Sequence, residues 1–254
     1  MPEGEPIEPT HEVRWFDSLD STNRYLLDEA RRGAPDGLVA VADFQTAGRG
    51  RRGRGWVAPP GASLLVSVLL RPSLAPEQTP LVTMACGVAM VDAVARVAGF
   101  TPGLKWPNDL VVRDRKLVGI LAERDGDAVV VGAGVNVEWR EFPPEIAETA
   151  TACNLEAGHS VDRRELLAAF LAELDRRYAD LTGVVGEYRQ RLATLGRRVR
   201  VERPDGDLVG RAVGIGDSGE LRVEDDHGDV LDVHVGDVVH LRDVRGPEPG
   251  RSAR

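Results

Sequence analysis

Cysteine is nearly missing from this sequence of 254 residues, which contains only Cys86 and Cys153. Two cysteines are too few for a disulfide framework, so we expect a reducing intracellular environment. Cys86 lies in an apolar helical pattern and is interpreted as a core residue, whereas Cys153 is expected in a loop. A secretory signal peptide and an uninterrupted apolar run long enough to cross a bilayer are also missing, which predicts a cytoplasmic protein.

Lysine is the second scarce residue. The chain carries 32 Lys and Arg residues against 41 Asp and Glu, for a formal net charge of -9. A chain this acidic lacks the basic surface of a general nucleic-acid binder. Of its basic residues only Lys105 and Lys116 are lysine. Codon bias is one explanation, but both lysines fall in one stretch rich in motifs, so we interpret them as positions that require a compact ammonium charge.

Apolar periodicity indicates an α+β fold, in which helices are interleaved with a mostly sequential set of strands. Strands are predicted at 13–16, 38–44, 63–70, 104–106, 110–112, 117–122 and 129–137. Helices are predicted from capping residues at 20–23 to Arg32, from Thr79 to Gly99, from Asp162 to about Leu181, and from about Val185 to Leu195.

Composition divides the chain into segments. From Arg198 onward, short Val and Leu runs alternate with turn sequences at 204–206, 217–219 and 226–228. This alternation predicts a small antiparallel β domain. The predicted segments are a disordered tail rich in Pro and Glu, a main domain, the β domain and a second disordered tail, at 1–10, 11–196, 197–243 and 244–254.

The stretch 48–56 reads Gly-Arg-Gly-Arg-Arg-Gly-Arg-Gly-Trp and gathers four arginines in an acidic chain. Its like charges repel one another, and its glycines add backbone entropy that must be lost on ordering. We therefore expect a loop that is mobile when alone and that closes around an anion.

Other interpretations of this loop differ in what must follow it. The dinucleotide pattern Gly-x-Gly-x-x-Gly requires a helix at its third glycine, and Trp56, Pro59 and Pro60 exclude that helix. A P-loop requires Gly-Lys-Ser/Thr, and neither lysine follows a glycine. An RNA-binding arginine–glycine segment and a solvated surface loop both stay open, although this segment is single and internal.

Two further groups of residues lie at predicted strand ends and turns, where sites are usually built. They are Lys-Trp-Pro-Asn-Asp at 105–109 with Lys-Leu-Val-Gly-Ile-Leu-Ala-Glu at 116–123, and Gly-Ala-Gly-Val-Asn at 132–136. Together with the loop 48–56, their order and spacing resemble the biotin protein ligases over most of the chain. The resemblance implies a class II synthetase-like domain, with a central mixed sheet and flanking helices, and a C-terminal SH3-like β-barrel. Because little sequence precedes Val13, the chain is similar to the non-repressor class without a DNA-binding domain.

The resemblance implies a two-step reaction that uses ATP and Mg²⁺. Biotin and MgATP give biotinoyl-5'-AMP and pyrophosphate, and the biotinyl group then passes to a lysine of the biotin carboxyl carrier domain of a carboxylase. A lipoate or octanoate ligase or transferase on the same scaffold stays open as the enzymatic alternative. Neither DNA nor a membrane is expected as a partner, and the oligomeric state is left between monomer and weak homodimer.

The resemblance also implies roles for individual residues. Catalytic roles are implied for Lys116 and Arg51. Biotin contacts are implied for Ser21, Thr22, Asn23, Gln45, Arg49 and Lys116. Nucleotide contacts are implied for Gly48, Gly50, Arg51, Arg52, Trp56, Asn108, Asp109 and Asn136. No metal ligand is assigned with certainty, because the ATP phosphates would hold most of the Mg²⁺ coordination.

Several of these residues have structural explanations as well. The polar residues at 21–23 are good helix caps, a role that is compatible with ligand contact. The pair Asn108 and Asp109 fits a turn, and Asp109 is also a candidate to orient the acceptor lysine. Trp106 is interpreted as a core residue. The histidines of the β domain have no cysteine nearby, which argues against a zinc site; they are His227, His234 and His240.

Overall fold

The computed structural model describes residues 11–204 and 206–241. The two predicted tails, Asp205 of one predicted turn and the last two residues of the predicted β domain lie outside these residues.

A seven-stranded mixed sheet forms the centre of the fold. Its strands are β1 (Val13–Leu19), β2 (Val39–Gln45), β3 (Ser63–Leu70), β4 (Gly103–Lys105), β5 (Asp109–Val112), β6 (Arg115–Asp125) and β7 (Ala128–Asn136). The order across the sheet is β1-β2-β3-β7-β6-β5-β4. Only β1 and β2 pair in parallel, and each other neighbouring pair is antiparallel. The predicted central mixed sheet is confirmed.

Five helices accompany this sheet: α1 (Thr22–Arg31), α2 (Thr79–Ala98), α3 (Cys153–Ala157), α4 (Arg163–Tyr178) and α5 (Val184–Arg191). Side-chain alternation along the strands produces two apolar layers. In β2, Val39 and Val41 pack into the layer that contains α2 and α4, whereas Ala40 packs into the layer that contains α1. The second layer is the smaller one, and the rest of that face of the sheet is left for a cavity beside the first turn of α1.

A second, five-stranded antiparallel sheet follows in the chain. Its strands are β8 (Arg198–Glu202), β9 (Leu208–Ile215), β10 (Leu221–Asp225), β11 (Val230–Val233) and β12 (Asp237–His240), in the order β11-β10-β9-β8-β12. The edge strands β11 and β12 are not paired with each other among the described residues, so the predicted barrel is open. Its core is continuous with that of the main sheet, and Trp106 Nε1 donates to Gly219 O at 2.9 Å.

Three sequence expectations need correction. Cys153 begins helix α3 and is fully buried rather than lying in a loop, and burial raises the pKa of its thiol to about 12. Helix α5 ends at Arg191 and not near Leu195, because Leu192 is extended and Ala193 N donates to Leu104 O. The segment Pro76–Ala98 is long and apolar enough to cross a bilayer, since an 18-residue window within it has a mean hydropathy of 1.7, but 72% of that window is buried in the fold.

Arg177 joins three helices through a buried ion-pair network. Its guanidinium, with a side-chain exposure of 1%, donates to Glu173 of α4 at 2.8 Å, to Glu187 of α5 at 2.9 Å, and to Asp92 of α2. A buried cation with several carboxylate partners fixes the relative positions of the elements that carry them.

We predict that Arg177→Met lowers the free energy of unfolding by about 3 kcal/mol, because the three carboxylates lose their buried cation and keep only the more exposed Arg176 and Arg191 as partners. Arg176→Met is the matched control: its side chain is 58% exposed on the same helix, and we expect a loss below about 1 kcal/mol. Urea denaturation of both variants measures the difference. Equal losses in the two variants would contradict a structural role for the buried network.

Candidate active site

A cavity of about 320 Å³ lies on the face of the central sheet that also carries α1. Its wall combines the first turn of α1, the end of β2, the loop 48–56, the turn between β4 and β5, strands β6 and β7, and the beginning of β12. The central sheet and the C-terminal sheet therefore both contribute to one site.

The polar side of the cavity is built around the start of α1. Ser21 caps the helix, as predicted, by accepting a bond from Arg24 N. Thr22 donates through its N–H at 2.8 Å and its hydroxyl at 3.1 Å to Gln45 Oε1. The Ser67 hydroxyl lies 2.7 Å from Thr22 Oγ1 and 2.6 Å from Asn23 Oδ1. Capping and site formation therefore involve the same residues.

Asn23 links this polar wall to the arginine loop. Its amide donates to Leu121 O at 3.1 Å and to Glu123 Oε2 at 2.9 Å. The other oxygen of Glu123 lies 2.7 Å from Arg49 Nη2. Asn23 comes this close only because residue 132 is glycine: a Cβ there would lie 2.1 Å from Asn23 Oδ1.

Two paired glycines support the indole of Trp56. Gly119 of β6 lies opposite Gly134 of β7 in the sheet register. A Cβ at Gly119 would lie 2.8 Å, and one at Gly134 2.5 Å, from atoms of the Trp56 ring. The ring therefore packs directly on the backbone of the sheet. Its Nε1 is buried and has no hydrogen-bond partner among the described residues.

Lys116 supplies a cation beside this ring. Its Nζ lies 5.7 Å from the Trp56 ring centroid and 2.7 Å from Asp109 Oδ1. The Lys116–Asp109 contact lies off the line of a hydrogen bond, so the buried Oδ1 receives no hydrogen bond within the described part of the chain. Lys105 also lines the cavity, and burial lowers the pKa of its ammonium, against the opposing effect of Asp109 and Asp114.

Arg51 is a second cation that lines the cavity. Its Nη1 donates to Asn108 Oδ1 at 3.1 Å, and it also reaches Gly236 O at 3.4 Å and Asp237 Oδ1 at 3.5 Å. Burial lowers the pKa of Arg51, while Asp237 and Asp109 act in the opposite direction. Asn108 is held in place because its amide donates to Ile120 O at 2.6 Å.

The loop 48–56 is a small hairpin rather than an irregular segment. Arg49 and Gly55 pair in antiparallel fashion, Trp56 N donates to Gly48 O at 3.0 Å, and a short 3₁₀ turn spans Arg51–Gly53. Gly48 has to be glycine, because a Cβ there would lie 2.2 Å from Trp56 O. The expected mobility is therefore limited in this structure by pairing within the loop and by carboxylates outside it.

Most residues proposed for the site from sequence line this cavity: Ser21, Thr22, Asn23, Gln45, Arg49, Gly50, Arg51, Trp56, Asn108, Asp109 and Lys116. Gly48, Arg52 and Asn136 do not. Gly48 closes the base of the hairpin, and Arg52 points to the C-terminal sheet, where it reaches Glu202 O at 3.3 Å. The Asn136 side chain is buried and donates to Thr151 O at 3.0 Å. In this structure its amide supports strand β7 and not the cavity wall.

Sequence reasoning missed other residues of the site. Gly119, Gly132 and Gly134 belong to motifs singled out above, but the sequence did not show which side chains pack on them. Trp56 approaches Gly119 and Gly134, and Asn23 approaches Gly132. Glu123 was noted only as the end of its motif. Asp237 gave no local signal, because the loop that it contacts lies 186 residues away in sequence.

The cavity offers few ligands for a protein-held metal ion. Within residues 11–204 and 206–241, no group of three His, Cys, Asp or Glu side chains could hold one. Asp109, with an oxygen that accepts no hydrogen bond, and Asn108, whose amide oxygen accepts from Arg51, are the candidate oxygen ligands in the turn between β4 and β5. Magnesium commonly keeps its waters and binds one or two carboxylates together with substrate phosphates, so this set fits a Mg²⁺ that arrives on a nucleotide.

The fold and the cavity together define a class of protein: an α+β ligase-type domain with a cationic loop over a polar pocket, followed by a small β domain. Residues 15–137 match the Biotin/lipoate A/B protein ligase family, and residues 194–241 match the Biotin protein ligase C terminal domain.

Individual relatives agree with these family matches. The chain is 43% identical over 233 residues to the biotin–[acetyl-CoA-carboxylase] ligase of Mycobacterium tuberculosis. The alignment covers 87% of this chain and 86% of that protein. It is 33% identical over 218 residues to the bifunctional ligase/repressor BirA of Escherichia coli, at 82% and 68% coverage.

Solved structures give the same result. The biotin protein ligase of Aquifex aeolicus in complex with biotin and ATP superposes with a TM-score of 0.79 at 28% identity, over 91% of this chain and 98% of that one. The ligase of Leishmania major in complex with biotinyl-5-AMP gives a TM-score of 0.63 at 25% identity, over 89% and 98%. The chain belongs to the biotin protein ligase family.

We predict that Gly134→Ala displaces the Trp56 indole and lowers the free energy of unfolding by about 1–3 kcal/mol, because the new methyl group overpacks the ring. Tryptophan emission should shift to longer wavelength, and this shift should disappear in a Trp56→Phe background. Gly186→Ala in α5 is the control, since a Cβ there meets nothing within 4 Å and alanine favours a helix by up to about 1 kcal/mol. An unchanged emission spectrum in Gly134→Ala would show that the ring does not rest on this glycine.

Proposed function

We propose that this chain is an ATP-dependent biotin protein ligase. It activates biotin as biotinoyl-5'-AMP with release of pyrophosphate, and it then transfers the biotinyl group to a lysine of the biotin carboxyl carrier domain of a carboxylase. The observation that carries this proposal is that two cations, Lys116 and Arg51, line one cavity that is polar and uncharged at Thr22 and Gln45.

The first step places negative charge between these cations. An oxygen of the biotin carboxylate bonds to the α-phosphorus of ATP, the bond from that phosphorus to the bridging oxygen of the β-phosphate breaks, and pyrophosphate leaves with the electron pair. Positioned cations stabilise such a transition state because they offset the charge as it develops. We assign Lys116 to the carboxylate and α-phosphate, and Arg51 to the phosphates.

The polar wall suits the uncharged end of biotin. Hydroxyl and amide groups can donate to and accept from a ureido ring without leaving a charge unpaired, and Ser21, Thr22, Asn23 and Gln45 supply such groups. The Trp56 indole and the Asn108 amide are proposed for the nucleotide. Mg²⁺ bound to the ATP phosphates supplies further neutralisation of their charge.

The second step is an acyl transfer. The amine nitrogen of the acceptor lysine bonds to the acyl carbon of biotin, the bond from that carbon to the phosphate oxygen breaks, AMP leaves, and the amine loses a proton. We assign Asp109 the role of orienting the incoming amine. A carrier domain as partner, a cytoplasmic location, and the division into a catalytic domain at 11–196 and a β domain at 197–243 belong to the same proposal.

The alternative functions receive less support. The first family match includes lipoate enzymes, but the second match and the relatives described above are biotin ligases. An RNA-binding segment would keep its arginines without carboxylate partners inside the protein. Here Arg49 pairs with Glu123, and Arg54 pairs with Asp237.

We predict biotin-dependent exchange of labelled pyrophosphate into ATP by the parent protein. Lys116→Arg should reduce the exchange rate by about 10²-fold or more, because a planar guanidinium cannot occupy the space of an ammonium between Trp56 and Asp109. Arg115→Lys is the control: Arg115 precedes Lys116 in β6 but pairs with Glu156 and does not line the cavity, so this variant should keep the parent rate.

Two results would count against this account. Parent-like exchange in Lys116→Arg would remove the proposed role of the ammonium group. Exchange that depends on lipoate and not on biotin would assign the chain to the alternative ligase class.

A further inference from the structure

Three of the four loop arginines converge on a single carboxylate of the C-terminal sheet. Arg54 Nη2 contacts Asp237 Oδ2, and Arg51 and Arg52 each place a guanidinium nitrogen 3.5 Å from an Asp237 oxygen. The Asp237 side chain is 18% exposed and lines the same cavity as Arg51.

Asp237 contributes little to its own sheet through its side chain. Its backbone pairs with Glu202 of β8. Within the residues that the structure describes, every hydrogen bond and ion pair of its carboxylate goes to the loop arginines. Asp232 of the same sheet differs, since its carboxylate pairs with Arg222 of the neighbouring strand. The Asp237 carboxylate therefore acts on the loop rather than on the β domain.

Positive charges outnumber negative ones in this cluster. Three guanidinium groups share one carboxylate, so the cluster retains positive charge after pairing. Phosphate oxygens are acceptors for guanidinium in the same geometry as carboxylate oxygens. A triphosphate that enters the cavity therefore competes with Asp237 for the same donors. It also meets repulsion from the Asp237 carboxylate, because like charges at short range in a partly buried site are weakly screened.

We propose that Asp237 is a positioning residue of the ligase cycle, an internal anion that holds the loop 48–56 on the C-terminal sheet. It yields the arginines to the phosphates of ATP, and it takes them back once pyrophosphate has left, which closes the loop over the acyl-adenylate. The inference rests on the proposed function, and it adds to that function a role for the C-terminal sheet in retaining the intermediate.

The test compares Asp237→Asn with Asp237→Glu, which should restore the parent behaviour, and with the control Asp232→Asn. Without any ligand, hydrogen exchange of residues 48–56 should be faster in Asp237→Asn, while exchange of residues 208–225 stays unchanged. The KM for ATP should fall about fivefold, because the phosphates no longer compete with the Asp237 carboxylate for the arginines. A factor of about five is the lower end of the range for coupling between two binding equilibria. Biotinylation of serum albumin, which reports escaped adenylate, should rise several-fold.

The outcomes separate the two proposals. Parent-like loop exchange in Asp237→Asn, or a raised KM for ATP without adenylate escape, would overturn the role of Asp237 while leaving the ligase function intact. Failure of the parent to exchange pyrophosphate with biotin would overturn the function, and the ligand-free hydrogen exchange would still be interpretable. If Asp237→Asn does not fold, Arg54→Gln removes the closest partner from the other side and should also speed loop exchange; unchanged exchange there overturns the inference.

Discussion

The concentration of positive charge in the loop 48–56 is the constraint on which the site depends. Four guanidinium groups on nine residues repel one another, and such a segment holds one conformation only where anions lie close to it. The fold supplies these anions from distant parts of the chain, with Glu123 on β6 and Asp237 on β12. We expect an anionic ligand to replace these contacts when it binds, so that the same arginines order the free loop and hold the ligand.

Glycines in β6 and β7 allow large side chains to lie directly on the sheet at the floor of the cavity. Gly119 and Gly134 remove the side chains that would separate Trp56 from β6 and β7, and Gly132 does the same for Asn23. These close approaches place the indole, the Lys116 ammonium and the polar end of α1 around one space. The buried core beneath gives this arrangement a rigid support, as precise sites require.

Local patterns in the sequence predicted the central sheet and four of its five helices, because those features depend on periodicity and capping, and the family resemblance of the motifs indicated eleven residues of the cavity wall. Ser21 at the start of α1 and Lys116 in β6 are examples. Contacts between distant segments were not predictable in this way. Asp237 resembles any strand-end aspartate until the loop is placed against it, and Asn136 entered the predicted site through its motif although its side chain supports Thr151. The open edge of the C-terminal sheet likewise depends on register rather than composition.

On ligand binding, we expect the loop arginines to exchange their carboxylate partners for the phosphates and carboxylate of the ligands. Hydrogen exchange of residues 48–56, compared between the free protein and the protein with biotin and a non-hydrolysable ATP analogue, tests it most directly. The account predicts further protection of this segment when both ligands are bound, with smaller protection from either one alone. Exchange that is identical with and without the ligands would contradict it.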